Sequence, residues 1–275
     1  MAPEAAIGEG PTPPEVVCRG LSKTFGDGPG AVEAVAPTDV TFAASTTTAL
    51  VGPSGCGKST ILRIVAGLDA PTGGSVRIAG DSPRTVRRRG ALSVAFQDPS
   101  LLPWRTVRSN VALARDLAQQ RPDPAVVDEL IRRVGLRGFE DTRPAELSGG
   151  MRQRAAIARC LVTRPRLLLL DEPFGAVDEL TRRRLNLELP RLWEKRGATT
   201  ILVTHSVSEA VLLSDRILVL SARPARVVAD LEVPFERPRR GDMIESAAFR
   251  ALANTVSAAL FDTEAVEDDE RLAAE

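Results

Sequence analysis

The run Gly52-Pro53-Ser54-Gly55-Cys56-Gly57-Lys58-Ser59-Thr60 constrains this chain more than any other segment. It follows the β-branched stretch Thr46 to Val51 and precedes the apolar, helically spaced stretch Ile61 to Val65, so it reads as strand, loop and helix in the pattern GxxxxGK[ST]. The glycines let backbone N–H groups turn inward around a phosphate, and the following helix adds the positive end of its dipole. Lys58 would neutralise β and γ oxygens, and the Ser59 hydroxyl could hold Mg2+. The expectation is a loop in which residues 52 to 60 cradle a nucleoside triphosphate.

The surrounding sequence alternates short strand-like runs with helical patterns. Val16 to Cys18, Thr46 to Val51, Val94 to Phe96, Leu167 to Leu170, Thr199 to Thr204 and Ile217 to Leu220 read as strands. Leu167 to Leu170 lacks polar alternation, as a strand buried on both faces of a parallel sheet should. An α/β domain with a mostly parallel sheet follows. Between Pro99 and Thr163 no strand stands out, whereas Pro124 to Val134 and Met151 to Val162 have helical spacing. That interval predicts an inserted helical subdomain. Residues 1 to about 14 read as a flexible lead, and residues 262 to 275, with seven acids against Arg271, as a solvated acidic tail.

Composition narrows the function classes. The 36 Lys+Arg residues balance 36 Asp+Glu residues, which removes any general attraction for nucleic acid or anionic lipid, so no nucleic-acid partner is expected. No apolar run approaches the ~20 residues of a spanning helix. The proline-rich, acidic start from Met1 to Glu15 lacks the apolar core of a secretion signal, and a cytoplasmic chain is expected. Cys18, Cys56 and Cys160 form no CxxC pair and read as reduced thiols. The chain's three lysines are Lys23, Lys58 and Lys195, none in an Asn-Lys-x-Asp context, which sets aside a guanine-specific switch.

Further motifs specify the reaction class. Leu147-Ser148-Gly149-Gly150-Met151-Arg152-Gln153 resembles the LSGGQ signature of ABC-type ATPases, and Leu167 to Leu170 with Asp171-Glu172-Pro173 resembles their Walker B element. Phe96-Gln97-Asp98 resembles the Q-loop, Gly175-Ala176-Val177-Asp178 the D-loop, and Val203-Thr204-His205 the H-loop. All occur in the family's order, over residues of about 16 to 235. Three departures stand out: Met151 in place of the usual signature glutamine, Val177 in place of leucine in the D-loop, and Cys56 within the phosphate loop. None of the three removes a group that touches phosphate.

The resemblance implies a P-loop NTPase core with a mostly parallel sheet, an antiparallel β subdomain and a helical subdomain at about 98 to 163. The cassette would span 15 to 235, followed by a helical extension with its acidic tail over 236 to 275. ATP and Mg2+ are the implied ligands. Asp171, at the end of a buried strand, would anchor Mg2+ together with Ser59 and Gln97, while Glu172 would accept a proton from the attacking water. His205, the chain's single histidine, would contact the γ-phosphate, and Phe25 would stack on adenine. Ser148, Gly149, Gly150 and Asp178 would complete the nucleotide site. Ser148 could equally cap the helix that follows it, and capping and ligand binding can coexist.

Phe96 to Trp104, Thr204 to Ala210 and Leu220 to Val227 carry a finer resemblance, to the ATPases for nitrate, sulfonate, taurine and related small-anion uptake, a group that also includes importers of thiamine precursors. No long arm separates the phosphate loop from the signature, and no second cassette is present, which disfavours repair and translation ATPases. The implied partners are a second copy in the ATP-bound state, integral-membrane permease subunits and, indirectly, an extracellular solute-binding protein. The implied location is the cytoplasmic side of the membrane. A regulator outside transport is the alternative. Leu101, Leu102 and Trp104, between Pro99 and Pro103, are expected either to meet the permease or to fill the core of the helical subdomain.

Overall fold

The computed structural model describes residues 12 to 272, with side chains to residue 261. The chain begins with the antiparallel pair β1 (Val16–Phe25) and β2 (Val32–Phe42), crosses into a second sheet as β3 (Thr47–Val51), runs through α1 (Lys58–Val65) and returns to the first sheet as β4 (Gly73–Ile78). After α2 (Pro83–Arg88), strand β5 (Leu92–Ala95) re-enters the second sheet. Helices α3 (Val107–Leu117), α4 (Pro124–Arg133) and α5 (Gly149–Leu161) follow before β6 (Leu167–Asp171). Then come α6 (Glu179–Glu188), α7 (Pro190–Glu194), β7 (Thr199–Val203), α8 (Val207–Leu213), β8 (Arg216–Leu220), β9 (Val227–Glu232) and α9 (Ala247–Leu272).

The larger sheet has the order β5-β6-β7-β3-β8-β9, parallel throughout except for the antiparallel edge strand β9. Its strands are buried on both sides. On β6, Leu168 and Leu170 belong to the core shared with the helical insertion, while Leu167 and Leu169 belong to the core under β1, β2 and α1. This two-sided burial explains the missing polar alternation. At ~1.5–3 kcal/mol for each fully buried leucine, the strand is a large apolar contributor to both layers.

The smaller sheet, of order β2-β1-β4, is the antiparallel unit expected from the family resemblance, but the residue pattern indicated only its first three residues. β1 continues to Phe25 because its pairing with β2 persists through register shifts between Cys18 and Thr24. The strand expected at Val94 to Phe96 lies at Leu92–Ala95, which leaves Gln97 just beyond the strand. No strand interrupts residues 99 to 163, and helices occupy both stretches of helical spacing.

Both chain ends differ in detail from expectation. Pro14 is tied down, its carbonyl accepting a 2.8 Å hydrogen bond from the Thr199 hydroxyl, while residues 1 to 11 of the expected lead lie outside the described residues. The acidic run continues α9 as far as Leu272. Alanine, leucine and glutamate favour helix there. The segment leading into α9 is fastened by Arg239, which donates to the carbonyls of Val211, Leu212 and Ser214 at the end of α8. Among the described residues no helix is long and apolar enough to cross a membrane.

Candidate nucleotide site

Four neighbouring parallel strands deliver the expected site residues to one edge of the sheet. Gln97 follows β5, Asp171 ends β6 with Glu172 next to it, His205 lies two residues past β7, and the phosphate loop follows β3. The carboxyl edge of an open α/β sheet is where ligands bind, because loops diverge there and helix N-termini point inward. One cavity is lined by Phe25, Ser54, Gly55, Gly57, Lys58, Ser59 and Thr60 together with Gln97 and Glu172. Val32, Ala34 and Arg223 also line it. The sequence reading missed these three. Arg223 lies just beyond β8, and its signal was a lone cation near a strand end in the run Leu220 to Val227.

The loop is shaped by close packing as well as backbone freedom. Gly57 has φ of 122°, and a Cβ there would lie 2.5 Å from the Ala34 carbonyl oxygen on β2. A side chain at 57 would push the loop off the smaller sheet. Lys58 is buried, and its ammonium donates to the carbonyls of Gly52 (2.8 Å) and Pro53 (2.6 Å), with Cys56 Sγ at 3.7 Å. The charge is thus held by the carbonyls of its own loop. Cys56 is buried in the core shared with β1, β2 and α1.

Beside the loop, the Ser59 hydroxyl donates to Asp171 Oδ1 at 2.9 Å. Burial raises the Asp171 pKa against the opposing Ser59 hydrogen bond, and the neighbouring Glu172 charge adds to the rise. A carboxylate so placed lacks a full counter-charge. Two hard oxygen donors side by side suit a hard divalent cation that completes its shell with phosphate and water. Among the described residues no cluster of three or more His, Cys, Asp or Glu side chains could hold a metal by itself.

Glu172 adopts φ of 45°, in the left-handed region, and is fixed there from both sides. Its N–H donates to the Val203 carbonyl at 2.9 Å, and its carbonyl accepts from Gln153 Nε2 at 3.0 Å. Its Oε2 then meets Gln97 Nε2 and His205 Nδ1, each at 3.3 Å. His205 is held by its neighbours. The Thr204 hydroxyl donates to the buried Glu209 at 2.8 Å and accepts the Ser206 N–H at 3.0 Å. Burial raises the Glu209 pKa in spite of that bond.

Ser148, Gly149, Gly150 and Asp178 do not line the cavity. They form a second cluster. Ser148 caps α5, its oxygen accepting the Met151 N–H at 3.2 Å. A Cβ on Gly150 would lie 2.8 Å from the Ala176 carbonyl, so the signature packs directly on the D-loop, while one on Gly149 would make only an ordinary contact at 3.9 Å. Asp178 caps α6 through the Thr181 N–H, which lowers its pKa.

The three apolar residues that follow Gln97 divide between the two expectations. Trp104 is 69% exposed, whereas Leu101 packs partly against the core. The buried Asn110 staples this loop, accepting from the Leu102 N–H at 2.8 Å and donating to the Leu102, Arg105 and Thr106 carbonyls. Trp104 is thereby presented outward from a fixed base.

The GxxxxGK[ST] loop on the central strand β3, with the carboxylates Asp171 and Glu172 at the end of β6, the next strand but one, places the chain among the P-loop nucleoside triphosphatases. Residues 35–175 match the sequence model of the family described as ABC transporter, and the chain belongs to that family as one of its ATP-binding subunits. It is 48% identical to an uncharacterized ABC transporter ATP-binding protein of Methanocaldococcus jannaschii, over 73% of this chain and 75% of that one. It is 44% identical to the aliphatic sulfonates import ATP-binding protein SsuB of Rhodopseudomonas palustris, over 84% of this chain and 78% of that one. With the nitrate import ATP-binding protein NrtC of Synechococcus elongatus it shares 49% identity over 74% of this chain, but spans only 32% of that longer protein. A solved dimeric ATP-binding cassette in a post-hydrolysis state, bound to ADP and Pi, superposes with a TM-score of 0.74 at 28% identity, over 80% of this chain and all of that one.

Proposed function

We propose that the chain hydrolyses ATP to drive import of a small oxyanion, working as a nucleotide-closed pair on the cytoplasmic face of a membrane permease. The observation that carries the hydrolytic reading is the convergence of Gln97 and His205, from two strand ends, on Glu172 Oε2 at a third, beside the phosphate loop. Nitrate, sulfonate and bicarbonate importers among the relatives support the solute class. Residues 15 to 235 would form the cassette and 236 to 275 its extension.

In the reaction, water attacks the γ-phosphorus, the bond to the β,γ-bridging oxygen breaks, and ADP and phosphate form. Glu172 Oε2 takes the water's proton. His205 holds that carboxylate in place and reaches the γ-phosphate, while Gln97 orients the water. Lys58 leaves its loop carbonyls for the β and γ oxygens, and Phe25, whose ring lies 4.9 Å from the Lys23 ammonium, stacks on adenine. Ser59 and Asp171 would hold Mg2+, with Gln97 as a third contact. Held by those residues, the cation would supply positive charge against the phosphate oxygens.

Because Ser148 and Gly150 lie outside the chain's own cavity, the proposal assigns them to the nucleotide of a second copy, in a two-fold pair where each site borrows from the other. Trp104 supplies the permease contact. Purification of the intact complex tests the reading. ATP turnover should rise when nitrate, bicarbonate or an aliphatic sulfonate is presented with the extracellular binding protein. A chain that never co-purifies with a permease contradicts the transport role.

A further inference from the structure

A second concave site shares no residue with the nucleotide cavity. It is a half-open hollow of about 470 Å³ between α4 of the helical insertion and the α6 to α7 segment of the α/β core. Five cations line it: Arg132, Arg133, Arg191, Lys195 and Arg196. Glu188 is the single acid on its wall.

The charges are not balanced locally. Arg132 and Arg133 share one partner, Glu129, each at 2.6 Å. Among the described residues, Arg191, Lys195 and Arg196 have no acidic partner, and Glu188 pairs with none of them. Basic residues in a last helical turn commonly offset the helix dipole, which accounts for the presence of Arg132, Arg133 and Arg191 near helix ends. It does not account for their convergence, from two separate elements, on one hollow. All five residues are solvent-exposed, so the concave wall gathers like charges without dehydrating them, and a cleft lined by one sign of charge focuses its field on an entering anion. At Arg196, partial burial and then the charges of Arg164 and Arg133 lower the guanidinium's pKa.

We propose that this hollow binds a small multivalent oxyanion, a phosphoester or polycarboxylate, that ties the helical insertion to the core. Planar guanidinium forks match paired oxygens of both groups, and a multivalent anion can satisfy several cations at once. The cations stand on both sides of the hollow, so a bound anion is a removable cross-link between α4 and α7. Without it, like charges face one another across the gap.

The test uses the full chain with ADP saturating the nucleotide cavity and no added Mg2+. Citrate and inorganic phosphate are titrated separately against sodium chloride at matched ionic strength, following binding heat and thermal midpoint. One of the two should bind saturably at one site per chain and raise the midpoint above the chloride control, and the one that does so identifies the ligand class. In Arg191→Gln/Arg196→Gln that affinity should fall at least tenfold, while the anion-free midpoint equals or exceeds that of wild type because unpaired like charges are gone. Lys195→Gln, a milder change on the same wall, should weaken binding in the same direction. Anions acting no more than chloride overturn the proposal. So does a response that survives unchanged in both variants, which would belong to the nucleotide cavity or the general surface. Anion-free variants that melt below wild type also overturn it, since the cations would then serve the fold alone.

Discussion

Glu172 Oε2 and His205 Nδ1 lie 3.3 Å apart across the carboxyl ends of the adjacent parallel strands β6 and β7. The pairing follows from register, because Asp171 stands opposite Val203 and the chain leaves each strand immediately afterwards. A non-glycine residue in the left-handed region at this spot is held by hydrogen bonds on both of its peptide groups. The carboxylate is therefore aimed before any nucleotide arrives.

Asp171 should carry a stability penalty that a cation relieves. Its folded pKa is raised, so its stabilising contribution is complete below the ordinary value of 3.8 and is lost as pH rises through the higher folded value. Asp171→Asn should melt above wild type at neutral pH, with the difference closing below about pH 3.8. Adding Mg2+ to the ADP-bound chain should raise the wild-type midpoint and leave that of the variant unchanged. Calorimetric scans against pH and Mg2+ read both effects.

Capping and ligand roles of Ser148 can be separated. Aspartate caps as well as serine, so Ser148→Asp should keep the stability of α5, while Ser148→Ala should lose ~1 kcal/mol. Yet the added negative charge would face the γ-phosphate of the partner's ATP. Light scattering should find Ser148→Asp folded but unable to double its mass with ATP.

The two signature glycines should respond differently to alanine. At Gly150 the new methyl would press on the Ala176 carbonyl, and overpacking of that kind costs ~1–3 kcal/mol. At Gly149 there is room, so thermal stability should hold. Equal losses in the two variants would contradict the described packing of the signature on the D-loop.

Trp104→Ala should leave the fold and basal ATP turnover of the free chain nearly intact, because the side chain is exposed while Asn110 holds the loop. Association with the permease should weaken by about thirtyfold if ~2 kcal/mol of anchor contact is lost. Unchanged co-purification would move the docking surface elsewhere.

How much of this was legible in the sequence depends on the kind of burial involved. Strands buried on both faces, such as Leu167 to Leu170, announced themselves, and the phosphate loop fixed β3 and α1. The smaller sheet did not. β2 mixes Glu33 and Asp39 with apolar residues on a half-exposed surface, and the pairing of β1 is broken near Gly20, so neither carries a clean period. Within the candidate site, residue types pointed to Lys58, Asp171 and Glu172 and the family resemblance to His205, but partners set by the fold stayed hidden. Nothing local says that Gln153 holds the Glu172 carbonyl, that Glu209 is buried beneath Thr204, or that Arg223 reaches the nucleotide cavity. Those contacts join residues from different strands and helices, and only tertiary packing creates them.

The central claim is that Glu172 takes the proton of the attacking water while the phosphate loop binds ATP independently. Measuring ATP turnover and ATP affinity side by side in wild type and Glu172→Gln tests it most directly. The account predicts turnover lower by about 10²–10⁴-fold with affinity retained, and an ATP-loaded variant that pairs stably in light scattering. Near wild-type turnover in the variant, or ATP binding lost along with turnover, would contradict it.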